Sequence, residues 1–300
     1  MKKKFSSIVY FLAWLFVFSS CNESKNNAPT SQEEKENEEQ QQPENQPVTF
    51  AVIGDVPYNE EQRNALIDFI DGHNSKNSSE FLVHVGDIKA GKTPCEESIY
   101  ENVSSILKKS SVPTFIILGD NEYNDCDNPE KGLEFWNNYF FQLHKNWQFE
   151  YNIEYQKERE ENFSWTENGV TFIGINLVGS KVHDEAEWNK RLSDNATWVK
   201  QQLDENKTES GAAVIFAHAN IVEVGPEKFD VFTQSFRAAA ASYDLPILFI
   251  HGDGHSWIQN RPWEEKNILR VQVDNGARAV QVTVDTSLTD PFVFDRDFMD

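Results

Sequence analysis

Three times, at nearly equal spacing, an apolar stretch of this chain runs straight into Gly-Asp. The stretches are Phe50-Ala-Val-Ile-Gly54-Asp55, Phe81-Leu-Val-His-Val-Gly86-Asp87 and Phe115-Ile-Ile-Leu-Gly119-Asp120. The aspartates lie about 32 and 33 residues apart, roughly one strand, a crossover helix and the return to the next parallel strand. Parallel strands place their carboxyl ends on one edge of a sheet, where open α/β sheets bind ligands. Three carboxylates gathered there repel one another unless a cation sits among them. Spacing alone points to a metal site on an α/β sheet.

The N-terminus reads as an appendage to that fold. Lys2, Lys3 and Lys4 precede an apolar run from Phe5 to Phe18, then Ser19-Ser20-Cys21. A basic start, a short apolar stretch and small residues describe a secretory leader. The cysteine after two serines resembles a bacterial lipobox, with Phe18 where Leu is usual. The expectation is a leader over residues 1–21 and a lipidated Cys21; an ordinary signal peptide or an uncleaved anchor is the alternative. Residues 22–47 are nearly all polar or charged and cannot bury enough surface to offset their ordering entropy, so a disordered tether is expected there. The folded domain is then 48–300, exported and lipid-anchored at the cell envelope, facing the periplasm or the outside.

Charge narrows the partners. The formal net charge is −22, and without the three leader lysines it becomes −25. Such a surface repels nucleic acid at long range, and none is expected as a partner. A small phosphoester can still reach a pocket whose cations invert the local field. Only Cys95 and Cys126 follow the leader, each a few residues after a Gly-Asp. On adjacent loops of an exported protein they suggest a disulfide at the rim of the site, with two free thiols as the alternative.

Helical spacing is visible at Glu60–Ile70, at 96–109, and after Asn128-Pro129, where Asn caps and Pro fits the first turn. A longer helix carries Trp188, Leu192, Ala196, Val199 and Leu203. Phe149, Tyr151, Ile153 and Tyr155 alternate as in a strand, and 162–176 reads as a hairpin turning at Glu167-Asn168-Gly169. Buried-type strands at Ala212–Ala217 and Leu245–Ile250 run into His218 and His251-Gly-Asp-Gly-His255. Alternating strands at 269–274 and 279–285 close the chain. The expected fold class is α/β, with two packed mixed β-sheets flanked by helices.

Every candidate ligand thus follows an apolar strand: Asp55, Asp87, Asp120 or Asn121, His218, Asp253 and His255. Singly, a Gly-Asp after a strand is usually a turn, and a strand-end histidine is more often satisfied locally. Five strand ends that each finish in a ligand-type residue are harder to dismiss. Two-cation hydrolases use such oxygen and imidazole donors, commonly with a bridging carboxylate. His84 and His251, just before ligand motifs, read either as outer hydrogen-bond donors or as core.

The ordered set Gly54-Asp55-Val56-Pro57, Gly86-Asp87-Ile88-Lys89, Gly119-Asp120-Asn121-Glu122, Ala217-His218 and Gly252-Asp253-Gly254-His255 resembles the calcineurin-like metallophosphoesterases over residues 48–285. The resemblance implies a two-sheet sandwich and a phosphoric ester hydrolase with two divalent cations. It implies that Asp55 and His255 bind the first cation and that Asp87 bridges. Asp120 or Asn121, with His218 and Asp253, would bind the second. A metal-activated hydroxide would attack phosphorus in line.

The departures from the family pattern are Pro57 for a histidine ligand, Asp120 for an asparagine ligand, Asn121 for the catalytic histidine and Asp253 for a histidine. Most replacements still ligate, as in a subgroup with its own metal chemistry. An oxygen-rich shell favours Mn²⁺ or Mg²⁺ over Zn²⁺, with iron or zinc as alternatives. The Asn121 replacement favours small substrates with good leaving groups. The rival function is a non-catalytic metal- or ligand-binding envelope lipoprotein on the same fold; an unrelated α/β fold is the third reading. No Gly-x-Ser-x-Gly elbow, phosphate-binding Gly-x-x-x-x-Gly-Lys loop or His-Glu-x-x-His is present.

Overall fold

In the computed structural model, which describes residues 46–300, the three Gly-Asp stretches become neighbouring parallel strands. They are β1 (Val48–Gly54), β2 (Phe81–His84) and β3 (Thr114–Ile116), linked by helices α1 (Glu60–Lys76) and α2 (Glu97–Leu107). The expected leader, Cys21 and nearly all of the tether lie outside the described residues. Helix α3 (Pro129–Tyr139) follows β3. Strands β4 (Glu154–Gln156), β5 (Arg159–Glu167) and β6 (Val170–Gly174) form an antiparallel meander. Then come α4 (Glu185–Asn206), β7 (Ala212–Phe216), α5 (Asp230–Tyr243) and β8 (Ile247–His251). Strands β9 (Ile258–Asn260), β10 (Ile268–Gln272), β11 (Gly276–Val284) and β12 (Phe292–Asp295) complete the chain.

Among the described residues the strands form two mixed sheets, in the orders β12-β11-β1-β2-β3 and β4-β5-β6-β7-β8-β10-β9. Strand β1 shows why both faces of the first sheet are covered. Phe50 and Val52 point into the core between the sheets, while Ala51 and Ile53 pack with Leu66, Phe69 and Ile70 of α1. Apolar residues on both sides of a strand require cover on both sides. The second sheet repeats the pattern: Val214 and Phe216 face the first sheet, and Ala213 and Ile215 face α4 and α5. Aromatic rings fill the central layer, with Phe50 stacked on Phe81 at 4.9 Å and Phe115 on Trp165 at 4.4 Å. The result is the α/β sandwich expected, with helices outside two packed mixed sheets.

Helix starts follow local chemistry. Asn59 caps α1 by accepting from the Gln62 amide at 2.9 Å, and Asn128 caps α3 through the Lys131 amide at 3.0 Å, with Pro129 in the first turn. The alternating stretch 149–155 differs from expectation: only Glu154–Gln156 is a strand. Phe149, Tyr151 and Ile153 pack against the inter-sheet core without a neighbouring strand to bond. Strand β8 starts at Ile247 rather than Leu245, because Pro246 has no amide hydrogen for the ladder.

Candidate metal centre

The parallel strands of both sheets deliver their carboxyl ends to one seam. The Asp55 amide donates to the Gly86 carbonyl at 2.9 Å, joining the ends of β1 and β2. His218, after β7, reaches across to the first sheet, its Nδ1 standing 2.7 Å from the Val85 carbonyl oxygen. The Asp253 amide, after β8, donates to both Asp55 carboxylate oxygens at 3.1 and 3.2 Å. Asp55 (φ 55°), Asp87 (φ 65°), Asp253 (φ 68°) and His255 (φ 61°) all adopt the left-handed backbone region. That conformation is uncommon outside glycine and gathers at functional sites.

Two groups of donors meet at this seam, each with its ligand atoms within 4.8 Å of one another: Asp55, Asp87 and His255, and Asp87, Asp120 and His218. Asp87 is common to both. His255 Nε2 lies 3.3 Å from Asp55 Oδ1. His218 Nε2 lies 3.0 Å from Asp120 Oδ1 and 3.2 Å from Asp87 Oδ1. Asp253 sits beside these groups rather than within them. Its Oδ2 accepts from the Asn220 amide at 3.0 Å, and a Cβ on Gly179 would meet Asp253 Oδ2 at 3.1 Å and Asp120 Oδ1 at 3.2 Å.

The polar bookkeeping at His218 tests whether a cation suits this place. With Nδ1 donating to Val85, Nε2 keeps its lone pair aimed at two carboxylates. Both Nε2 and Asp120 Oδ1 are buried and lack a hydrogen-bond partner, so their close approach is not an aligned hydrogen bond. Buried lone pairs facing one another call for a positive charge between them. In the metal-free protein a proton supplies it. Burial opposes the charged imidazole, yet Asp87 and Asp120 outweigh it and hold His218 well above its ordinary range. Burial likewise raises Asp87 and Asp253 above the usual carboxylate range. A divalent cation on each group satisfies the same atoms, so the residues fit a binuclear centre.

Asp120 and Asn121 are distinguished by their contacts. Asp120 belongs to the His218 group, whereas the Asn121 backbone amide donates to Asp87 Oδ1 at 3.0 Å and its side-chain Nδ2 donates to Asp87 Oδ2. A disulfide joins Cys95 and Cys126, and its sulfurs lie 3.6 and 3.9 Å from the Asn121 carbonyl oxygen. His84 and His251 are buried and neutral, lowered by burial to about 4 and about 3. His84 accepts from the Gly86 amide at 3.1 Å, and His251 accepts from Arg270 Nε at 2.8 Å. Arg270 is itself fully buried against Glu223, at 2.8 and 2.6 Å.

Two further residues belong to the centre. Glu122 is fully buried and accepts from the Gly119, Asp87 and Ile88 amides at 2.6, 3.1 and 3.2 Å, tying the ends of β2 and β3 together. Its signal was its place next to Asp120-Asn121. Tyr58 brings its hydroxyl to 3.0 Å from Asp55 Oδ1, 2.8 Å from Asp87 Oδ2 and 3.0 Å from His255 Nε2. Burial, and then the two carboxylates, push its phenol above the ordinary range. In the sequence it lies directly after Pro57, with no pattern to mark it.

Comparison with known proteins bears on this arrangement. Residues 48–256 match the family model described as calcineurin-like phosphoesterase. No curated protein matches the chain. A dimetal phosphatase from Danio rerio is similar in structure over 78% of this chain and 92% of its own, with a TM-score of 0.54 and 11% identity. A purple acid phosphatase from yellow lupin seeds aligns over 80% of this chain and 50% of its own, with a TM-score of 0.55 and 11% identity. A 5′-nucleotidase from Candida albicans aligns over 83% and 50%, with a TM-score of 0.51 and 16% identity. The chain spans about half the length of these last two, and at such identities the likeness is one of fold.

Proposed function

The chain belongs to the calcineurin-like phosphoesterase family, and from that premise we propose a lipid-anchored hydrolase of small phosphoric esters at the bacterial cell envelope. The observation that carries the enzymatic part is the sharing of Asp87 between two three-residue donor groups. On this reading Asp55 and His255 would hold one cation and Asp120 and His218 the other, with Asp87 contributing to both groups. Asp253 stands ready beside the second. When bound, the cations supply Lewis acidity, activating water and neutralising charge on the phosphoryl oxygens.

The chain's own residues set the geometry. Asn121 positions Asp87 through two donated hydrogen bonds, and Glu122 fixes the backbone on either side of that contact. The Val85 carbonyl sets the tautomer of His218. With Asn121 occupied by Asp87 and carrying no transferable proton, it cannot protonate a leaving group. Substrates with good leaving groups, such as aryl esters or anhydrides, follow from that. Three carboxylates and two imidazoles in the two groups favour Mn²⁺ or Mg²⁺ over Zn²⁺.

The envelope part is supported by the leader-like residues 1–21, with Cys21 after Ser19-Ser20, and by the polar run to residue 47. A substrate panel with the full chain tests the catalytic part. Aryl phosphates should turn over faster than alkyl phosphates, with Mn²⁺ or Mg²⁺ exceeding Zn²⁺. Equal rates on alkyl and aryl esters, or zinc alone active, would contradict the leaving-group and metal arguments. Cations taken up with no turnover at all would favour the binding protein instead.

A further inference from the structure

The first donor group contains a fourth oxygen. The Tyr58 hydroxyl lies 2.8–3.0 Å from one atom each of Asp55, Asp87 and His255, the three residues of that group. A phenol has a single hydrogen to donate, so it cannot satisfy both carboxylates at once. Three contacts of this length from one oxygen are poorly explained as hydrogen bonding alone. They match a coordination shell, because neighbouring ligands on bonds of about 2.0–2.2 Å stand roughly 3 Å apart at right angles around a cation.

The side chain is also held in place from behind. The Tyr58 amide donates to Gln62 Oε1 at 2.7 Å, and the next residue, Asn59, caps α1. The ring packs edge-on against the His255 imidazole at 5.4 Å. Pro57, directly before it, carries no donor atom in its side chain, leaving the first group without a second imidazole.

We propose that Tyr58 is a protein ligand of the first cation, making that site an Asp55–Asp87–Tyr58–His255 set of three oxygens and one nitrogen. This rests on the two-cation reading above. On coordination the phenol would release its proton to solvent, and its oxygen would take the place of a water on the cation. Three oxygen donors favour a hard cation at this site.

Calorimetric titration of the metal-stripped full chain with Mn²⁺, together with its ultraviolet difference spectrum, tests the assignment. Wild type should bind two ions and develop a tyrosinate band. Tyr58→Phe should lose that band and bind the first-site ion more than about a hundredfold more weakly, beyond what loss of an outer hydrogen-bond partner commonly costs. The second ion should bind as before. Tyr58→His should recover two ions without the band, and it decides the matter if Tyr58→Phe does not fold. Two ions bound by Tyr58→Phe with wild-type affinity, or a band that survives in either variant, would overturn the ligand assignment while leaving the two-cation reading intact. A wild-type chain that takes up no ion would bring down both.

Discussion

Gly119 shows what the Gly-Asp cadence is for. A Cβ there would run into the Asp87 amide nitrogen and carboxylate, so only glycine lets the loops after β2 and β3 close on each other. Glu122 then accepts amide hydrogens from both loops, and Asp87 is held facing His218. Charge at this contact predicts a pH dependence for the metal-free protein. His218, raised above its ordinary value, lends stability that is full below the unfolded value of about 6.5 and lost as pH climbs through the folded one. Asp87, raised mainly by burial to about 8, loses stability from the ordinary carboxylate value of about 4 up to that point. His84 and His251, lowered to about 4 and about 3, act in the opposite sense, costing stability as pH falls below that unfolded value. Calorimetry with a chelator should therefore show a melting temperature that falls as pH rises above the unfolded histidine value. Added Mn²⁺ should flatten that decline by taking the proton's place. A metal-free melting temperature constant from about pH 6.5 to 9 would contradict this.

Among the elements, the loops after β2 and β3 carry the Asp87 and Asp120 ligand candidates, and the Cys95–Cys126 bridge spans them with a sequence separation of 31. A bridge closing a loop of this size typically contributes about 2–4 kcal/mol. Reduction, or the Cys95→Ala/Cys126→Ala double variant, should lower the melting temperature by about 5–15 °C. An unchanged melt would show that the bridge adds nothing to the fold. The bridge was legible because both cysteines follow strand ends whose order the Gly-Asp spacing sets. Helices α1, α3 and α4 were legible from caps and apolar period. The stretch 149–155 misled because its alternation serves packing against the inter-sheet core rather than strand pairing. Strands β9 and β12, of three and four residues, are too short to leave a periodic signal.

On the scale of the whole molecule, the first sheet supplies the carboxylates Asp55, Asp87 and Asp120, and the second supplies the imidazoles His218 and His255. The centre exists only where the two sheets meet, so the inter-sheet aromatic core is also its foundation. The identity and order of these residues were legible, since each ends an apolar strand. The convergence of Tyr58 on the same point was not, because a hydroxyl's final position depends on how a loop turns and on no period. The acidic surface makes cation capture at this seam electrostatically favourable and gives anionic substrates a reason to need those cations. The most direct test compares the wild-type full chain with Asp87→Asn, each stripped and reloaded with Mn²⁺, measuring bound metal and aryl phosphate hydrolysis together. Wild type should retain two ions and turn over, while Asp87→Asn should lose metal and at least about a hundredfold of its rate. Equal metal content and equal turnover in the two proteins would contradict a centre built around Asp87.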